Sequence, residues 1–326
     1  MINTLIQFFI SAVLVFYSAR LLAQSSDTIA KSTRIGHFFI GSFLLAASTS
    51  LPEFFVDIRA TLANAPDLAA GDLLGSSMVN LSIFAIVVLA YHKKLPSRLP
   101  KMTKPVLTAI LLTFIVVFSI QFSDYHYLFF GISTGSLVII GSYILGIRFF
   151  IEKDQTDPHL KISGEASQGK NLFPAIIRFL SATTLLFFSS PWIISSVSKL
   201  SELSGIDHSF MGATLLALTT SLPELVASMV AARMGLFDLV LGNIIGSNSF
   251  NMIIFFFMDW IWKNGALWEH LSKKHIVAGV TVILNMTLLM IFGLSEKNKG
   301  KKQVIGAAII ILFSSIISYG ALFFFR

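Results

Sequence analysis

The sequence predicts an all-α polytopic membrane protein of ten transmembrane helices, arranged as two inverted five-helix repeats. Three observations predict it. Of 326 residues, 55% are hydrophobic and 13% charged, with a mean hydropathy of +0.79, which excludes an ordinary soluble domain. Apolar runs long enough to cross a bilayer, about 20 residues each, recur from end to end. Residues 40–81 and 211–252 align without a gap at an offset of 171, and sixteen of the 42 positions are identical.

The first run, 2–23, has no basic segment before it, and Leu22-Ala23-Gln24 is a poor cleavage site. It reads as a retained helix and not a signal peptide. Spans 2 and 3, at 36–61 and 67–91, carry the first copy of the repeated segment; spans 4 and 5, at 105–121 and 126–151, complete the first half. The stretch 152–170 mixes charge signs with Gly, Ser and Asp-Pro, and reads as a flexible linker. The second half, 171–326, holds spans at 172–198, 208–233, 238–262, 275–293 and 303–325, with the second copy in the second and third of these. Copies that start five spans apart enter the membrane from opposite sides, so the repeats are inverted. Halves of this kind place their site at mid-membrane, where they meet.

The net charge of +7 could suggest nucleic acid, but the basic residues sit in short loops. Lys93, Lys94, Arg98, Lys101 and Lys104 share one loop, Lys31 and Arg34 another, and Lys297, Lys299, Lys301 and Lys302 a third. Ten spans put all three on one side, the cytoplasm by the positive-inside rule. Both termini are then outside, the 152–170 linker is cytoplasmic, and the membrane is a plasma or bacterial inner membrane. Lys199, Lys263, Lys273, Lys274 and Arg326 form a minority on the other face. With no cysteine, neither a disulfide nor a thiolate metal site can form. Oligomeric state is not legible.

Each copy places a carboxylate just after a proline inside an apolar helix: Thr49-Ser50-Leu51-Pro52-Glu53, and Thr220-Ser221-Leu222-Pro223-Glu224. Proline donates no backbone hydrogen bond and crowds the carbonyl four residues back, so Pro52 frees Ser48 and Pro223 frees Thr219. Exposed carbonyls at membrane depth persist only where something else binds them. Carboxylate, hydroxyl and carbonyl oxygens are the donors that Ca²⁺ or Na⁺ requires, while zinc and copper favour nitrogen and sulfur. A buried charge is costly unless paired, and neither motif contains Lys or Arg. A bound cation is the simplest partner for Glu53 and Glu224. Asp72, Ser76 and Asn80, and likewise Asn243, Ser247 and Asn251, are spaced i, i+4, i+8 and form one polar stripe on each helix. Gly71, Gly75, Gly242 and Gly246 flank the stripes and permit close helix packing.

These paired segments resemble the α-repeats of the calcium/cation antiporter superfamily, which includes sodium/calcium exchangers. The resemblance implies spans 2, 3, 7 and 8 around the sites, with spans 1 and 6 sliding across them. It implies as cation ligands Glu53 and Glu224; the hydroxyls of Thr49, Ser50, Thr220, Ser221, Ser76 and Ser247; the amides Asn80 and Asn251; and the carbonyls of Ala46 and Ala217. It implies transported Ca²⁺ and Na⁺ (or H⁺) and no cofactor, with inorganic cations and the lipid bilayer as partners and no nucleic acid.

Three departures matter. Asn251 stands where sodium/calcium exchangers commonly carry Asp, Asp72 stands for the family's Asn, and Ser77 for the second Asn of Gly-Ser-Asn. Asp72 lies eight residues before Asn80, roughly 12 Å along a helix, and is expected at the outer mouth. There it is either a helix-N-terminal carboxylate favoured by the dipole or an attractor of cations. Asp57 and Arg59, near the end of span 2, read as solvated, and His37 and His208 as interfacial or gating histidines. Gly71-Asp72 has a faint likeness to aspartyl membrane proteases. A second intramembrane Asp in a Tyr-Asp setting is missing, as are an HExxH motif and a Ser/His dyad, so the chain does not read as an enzyme. A receptor or scaffold would not need duplicated mid-membrane carboxylates.

Overall fold

The computed structural model describes residues 2–33, 35–96, 103–125, 127–150, 171–204, 216–293 and 301–324. His208 and the 152–170 linker lie outside them. The helices are α1 (Ile2–Thr33), α2 (His37–Thr49), α3 (Leu51–Leu62), α4 (Pro66–Ala90), α5 (Thr103–Gln121) and α6 (Thr134–Phe150) in the first half. The second half has α7 (Leu172–Ser204), α8 (Leu216–Thr220), α9 (Leu222–Arg233), α10 (Phe237–Ile261), α11 (His275–Leu288) and α12 (Lys301–Phe324). With α2–α3 and α8–α9 each taken as one broken span, these are the ten helices the apolar runs predict.

The structure departs from the sequence expectation in several places: the first helix runs on to Thr33 and the sixth span to Ser204, past the expected ends at 23 and 198. The fifth span starts at Thr134 and not at 126, because Leu128–Phe129 (β1) and Ile132–Ser133 (β2) form a small antiparallel hairpin. Its turn includes Phe130 and Gly131, both at positive φ, a geometry that a helix cannot absorb. The middle of α2, Gly41–Leu45, is widened to a π-turn just ahead of the Pro52 break, a local distortion often found at functional sites.

The layout is concentric. In the most apolar windows of α4 and α10, 78% and 89% of residues are buried, against 28% for α1, α7 and α12. The two helices carrying the polar stripes are therefore the centre, and the less buried α1, α7 and α12 lie at the periphery. Helices α1 and α7 pack along each other more extensively than any other pair. Close approach at the centre depends on glycine. A Cβ on Gly242 would come within 2.4 Å of the Phe38 carbonyl oxygen, and one on Gly246 within 2.3 Å of that of Ser42. Thus α10 lies backbone to backbone against α2, across the boundary between the halves. His37 is fully buried and hydrogen-bonded to Asp27 at 2.8 Å, so it ties α2 to the end of α1. Lys31 holds the other Asp27 oxygen at 2.9 Å.

Candidate cation site

The two broken spans meet the two central helices at the core. Pro52 and Pro223 occupy the first turns of α3 and α9, where a missing N–H costs nothing. The residue before each new helix leaves helical geometry: Ser50 at φ −89°, ψ 6°, and Ser221 at φ −83°, ψ 5°. The first span bends there by 45°. Each break starts a fresh helix inside the protein with Glu53 or Glu224 in its first turn, and the N-terminal dipole favours the carboxylate there.

The halves interlock through these side chains. Ser50 Oγ donates to Glu224 Oε1 across the interface at 3.0 Å, and Ser247 Oγ reaches the same oxygen at 3.4 Å. Thr220 Oγ1 lies 3.2 Å from Ser76 Oγ and 3.4 Å from Asp72 Oδ1. Its counterpart Thr49 lies 3.3 Å from Asn243 Oδ1. Asn80 Nδ2 donates to Asn248 Oδ1 at 3.0 Å, and Asn251 Nδ2 donates to Ser77 Oγ at 3.3 Å. All twelve residues named as ligands by resemblance are buried.

Five oxygens of this group end without a hydrogen-bond partner: Glu53 Oε2, Asn80 Oδ1, Ser221 Oγ, Glu224 Oε2 and Asn251 Oδ1. They come from both halves and from four separate segments. An unsatisfied buried polar group costs about 1–3 kcal/mol, more when charged. Among the described residues no Lys, Arg or His pairs with Glu53 or Glu224. Nor does any group of three His, Cys, Asp or Glu side chains there suit a metal ion. Hydroxyls, amides and two carboxylates must share the work, a donor set that suits hard cations. The Ala46 carbonyl already accepts from Ser50 N at 2.9 Å and Thr49 Oγ1 at 3.2 Å. That of Ala217 accepts from Ser221 N at 3.1 Å and Thr220 Oγ1 at 3.2 Å. To lend these carbonyls to a cation, the threonine hydroxyls must turn, which would also aim the hydroxyl oxygens at the ion.

Two sequence expectations are corrected. Asp72 is not at an open outer mouth: it is 0% exposed and touches Thr220 of the second half. Asp57 is not solvated but also 0% exposed, because it follows Glu53 by one helical turn and so shares its inward face. Arg59, two residues on, is exposed as expected. Sequence reading also passed over Asn248 and Ser77 as part of the central network. Asn248 Nδ2 donates to the Ser77 carbonyl at 3.2 Å, so this pair clamps α4 to α10.

A family model described as sodium/calcium exchanger protein matches residues 3–152 and 174–324. An uncharacterized membrane protein of Methanocaldococcus jannaschii is 26% identical over 318 residues, covering 95% of this chain and 96% of its own. The inner membrane protein YrbG of Escherichia coli is 28% identical over 248 residues, 75% of each chain. The sodium/calcium exchanger MaX1 of Methanosarcina acetivorans is 24% identical over 269 residues, 71% of this chain and 75% of that one. Among solved structures, the sodium-calcium exchanger NCX_Mj soaked with 10 mM Na⁺ and zero Ca²⁺ superposes with a TM-score of 0.76 at 22% identity, covering 98% of both chains. That likeness shows a shared fold.

Proposed function

Because the chain belongs to the sodium/calcium exchanger family, a family of membrane transporters and not of enzymes, we propose that it is a secondary active antiporter exchanging Ca²⁺ for Na⁺ by alternating access. The observation that carries this reading is the set of five partnerless oxygens, contributed by both halves at the core. Glu53 and Glu224 supply the charge. Asn80, Asn251, Ser76, Ser247, Thr49, Ser50, Thr220 and Ser221 complete the oxygen shell, with the Ala46 and Ala217 carbonyls joining once the threonines turn. Two carboxylates can be neutralised by one divalent ion or by monovalent ions, so loading with either satisfies the site. Leaving it bare does not, and this coupling makes obligatory exchange the low-energy route. The peripheral α1–α7 pair is the element suited to slide across the core. Both termini lie outside a plasma or bacterial inner membrane in this reading, with 92–104 and 152–170 cytoplasmic.

A proton-coupled or other-divalent exchanger is the second reading. It is favoured by Asn251, which leaves the centre one carboxylate short of the family's usual complement. The test is ⁴⁵Ca²⁺ uptake into proteoliposomes under separately imposed Na⁺ and H⁺ gradients. Uptake driven by outward Na⁺ supports the first reading, and uptake driven only by H⁺ supports the second. No uptake under either gradient overturns both.

A further inference from the structure

Two buried carboxylates belong to no ligand set described above. Asp57 on α3 and Asp72 on α4 are both completely buried and lie within hydrogen-bonding reach of each other. While ionised, both are acceptors only. Among the described residues no other group reaches either Asp57 oxygen or Asp72 Oδ2, and Asp72 is met by the hydroxyls of Thr220 and Ser76. No Lys, Arg or His there pairs with either.

The second half supplies an internal control. At the offset of 171, Asp57 corresponds to Ser228 and Asp72 to Asn243. That pair is neutral and self-satisfied, Asn243 Nδ2 donating to Ser228 Oγ at 3.2 Å. The same packing position is therefore filled comfortably without charge, and packing does not explain the two aspartates. Two carboxylates side by side in the interior cannot both stay charged unless a cation stands between them; otherwise they must share a proton. The donors around it, two carboxylates with the hydroxyls of Thr220 and Ser76, are hard oxygens of the kind divalent cations take.

We propose that Asp57 and Asp72 form a second divalent-cation site, present in the first half alone, one helical turn from Glu53 and joined to the central site through Thr220. A helical turn rises about 5.4 Å, and Thr220 can turn its hydroxyl toward either site. An ion at the aspartates is thus staged next to the central cage and passes to it by exchanging partners around one side chain. The asymmetry gives the two ends of the central site different preceding steps: one carries a charged stage and the other a neutral Ser-Asn pair.

This inference rests on the exchanger reading, and the test separates the two. Equilibrium ⁴⁵Ca²⁺ binding is measured on the full-length protein in nanodiscs, using the wild type and three variants. These are Glu53→Gln with Glu224→Gln; Asp57→Ser with Asp72→Asn, which copies the pair the second half already folds with; and all four changes together. The proposal expects saturable Ca²⁺ binding to survive in the glutamate variant, to survive in the aspartate variant, and to be lost when the four are combined. Equal binding by the glutamate variant and the fourfold variant, whether both bind or neither does, overturns the second site. Loss of all binding in the aspartate variant alone would instead contradict the central glutamate site.

Discussion

At the scale of single residues, Asn251 is the substitution with the widest consequence. Its amide donates to Ser77 and to the Leu73 carbonyl at 3.4 Å, while its oxygen stays unsatisfied. It thus offers the cage a neutral donor where a carboxylate would add charge. Affinity in oxygen sites follows ligand charge as well as geometry, so several Na⁺ at once should suffer more from the missing charge than one Ca²⁺. We expect native exchange to be only weakly cooperative in Na⁺, and Asn251→Asp to steepen that dependence in flux assays. An unchanged Na⁺ dependence would contradict this. Asp57 shows where residue-level legibility stopped. Its position near a span end suggested solvent, but the i, i+4 spacing from Glu53 was the stronger signal. Setting the repeats side by side, Asp57 with Ser228, would have marked Asp57 as a departure alongside Asp72. The lateral partners Asn248 and Ser77 were harder to see, because helix-to-helix pairing is not encoded in spacing along either helix.

At the scale of elements, the breaks at Pro52 and Pro223 were legible because proline chemistry is local. The hairpin at 128–133 and the π-turn at Gly41–Leu45 were not, since apolar residues there continue the hydropathy pattern of the helix beside them. The crossing of α10 over α2 gives a direct test. A methyl at Gly246 would collide with the Ser42 backbone, and neither backbone can yield without moving the π-turn. Overpacking of this kind costs about 1–3 kcal/mol. Gly246→Ala should therefore lower the thermal unfolding midpoint in detergent and weaken exchange. Gly306→Ala on α12, where an added Cβ meets nothing within 4 Å, should leave both unchanged. Equal melting of the two variants would show that α10 does not approach α2 as described.

At the scale of the whole molecule, the inverted architecture was readable because a gap-free repeat five spans apart admits only opposite orientations. Orientation in the membrane rests on loop charge, and the cysteine-free chain makes it simple to test. Ala63→Cys, at the exposed end of α3, should react with a membrane-impermeant thiol reagent on intact cells, while Lys93→Cys should not. Both positions are exposed on the protein, so the reverse pattern would invert the topology. The central claim is that one cation cage is built jointly by the two halves, with Glu53 and Glu224 as its charge. Its most direct measurement is Na⁺-driven ⁴⁵Ca²⁺ uptake into proteoliposomes by the wild type, Glu53→Gln and Glu224→Gln, each checked for folding by monodisperse elution. The account predicts that either single change abolishes uptake, because neither half can complete the central cage alone; uptake at the wild-type rate in either variant would contradict it.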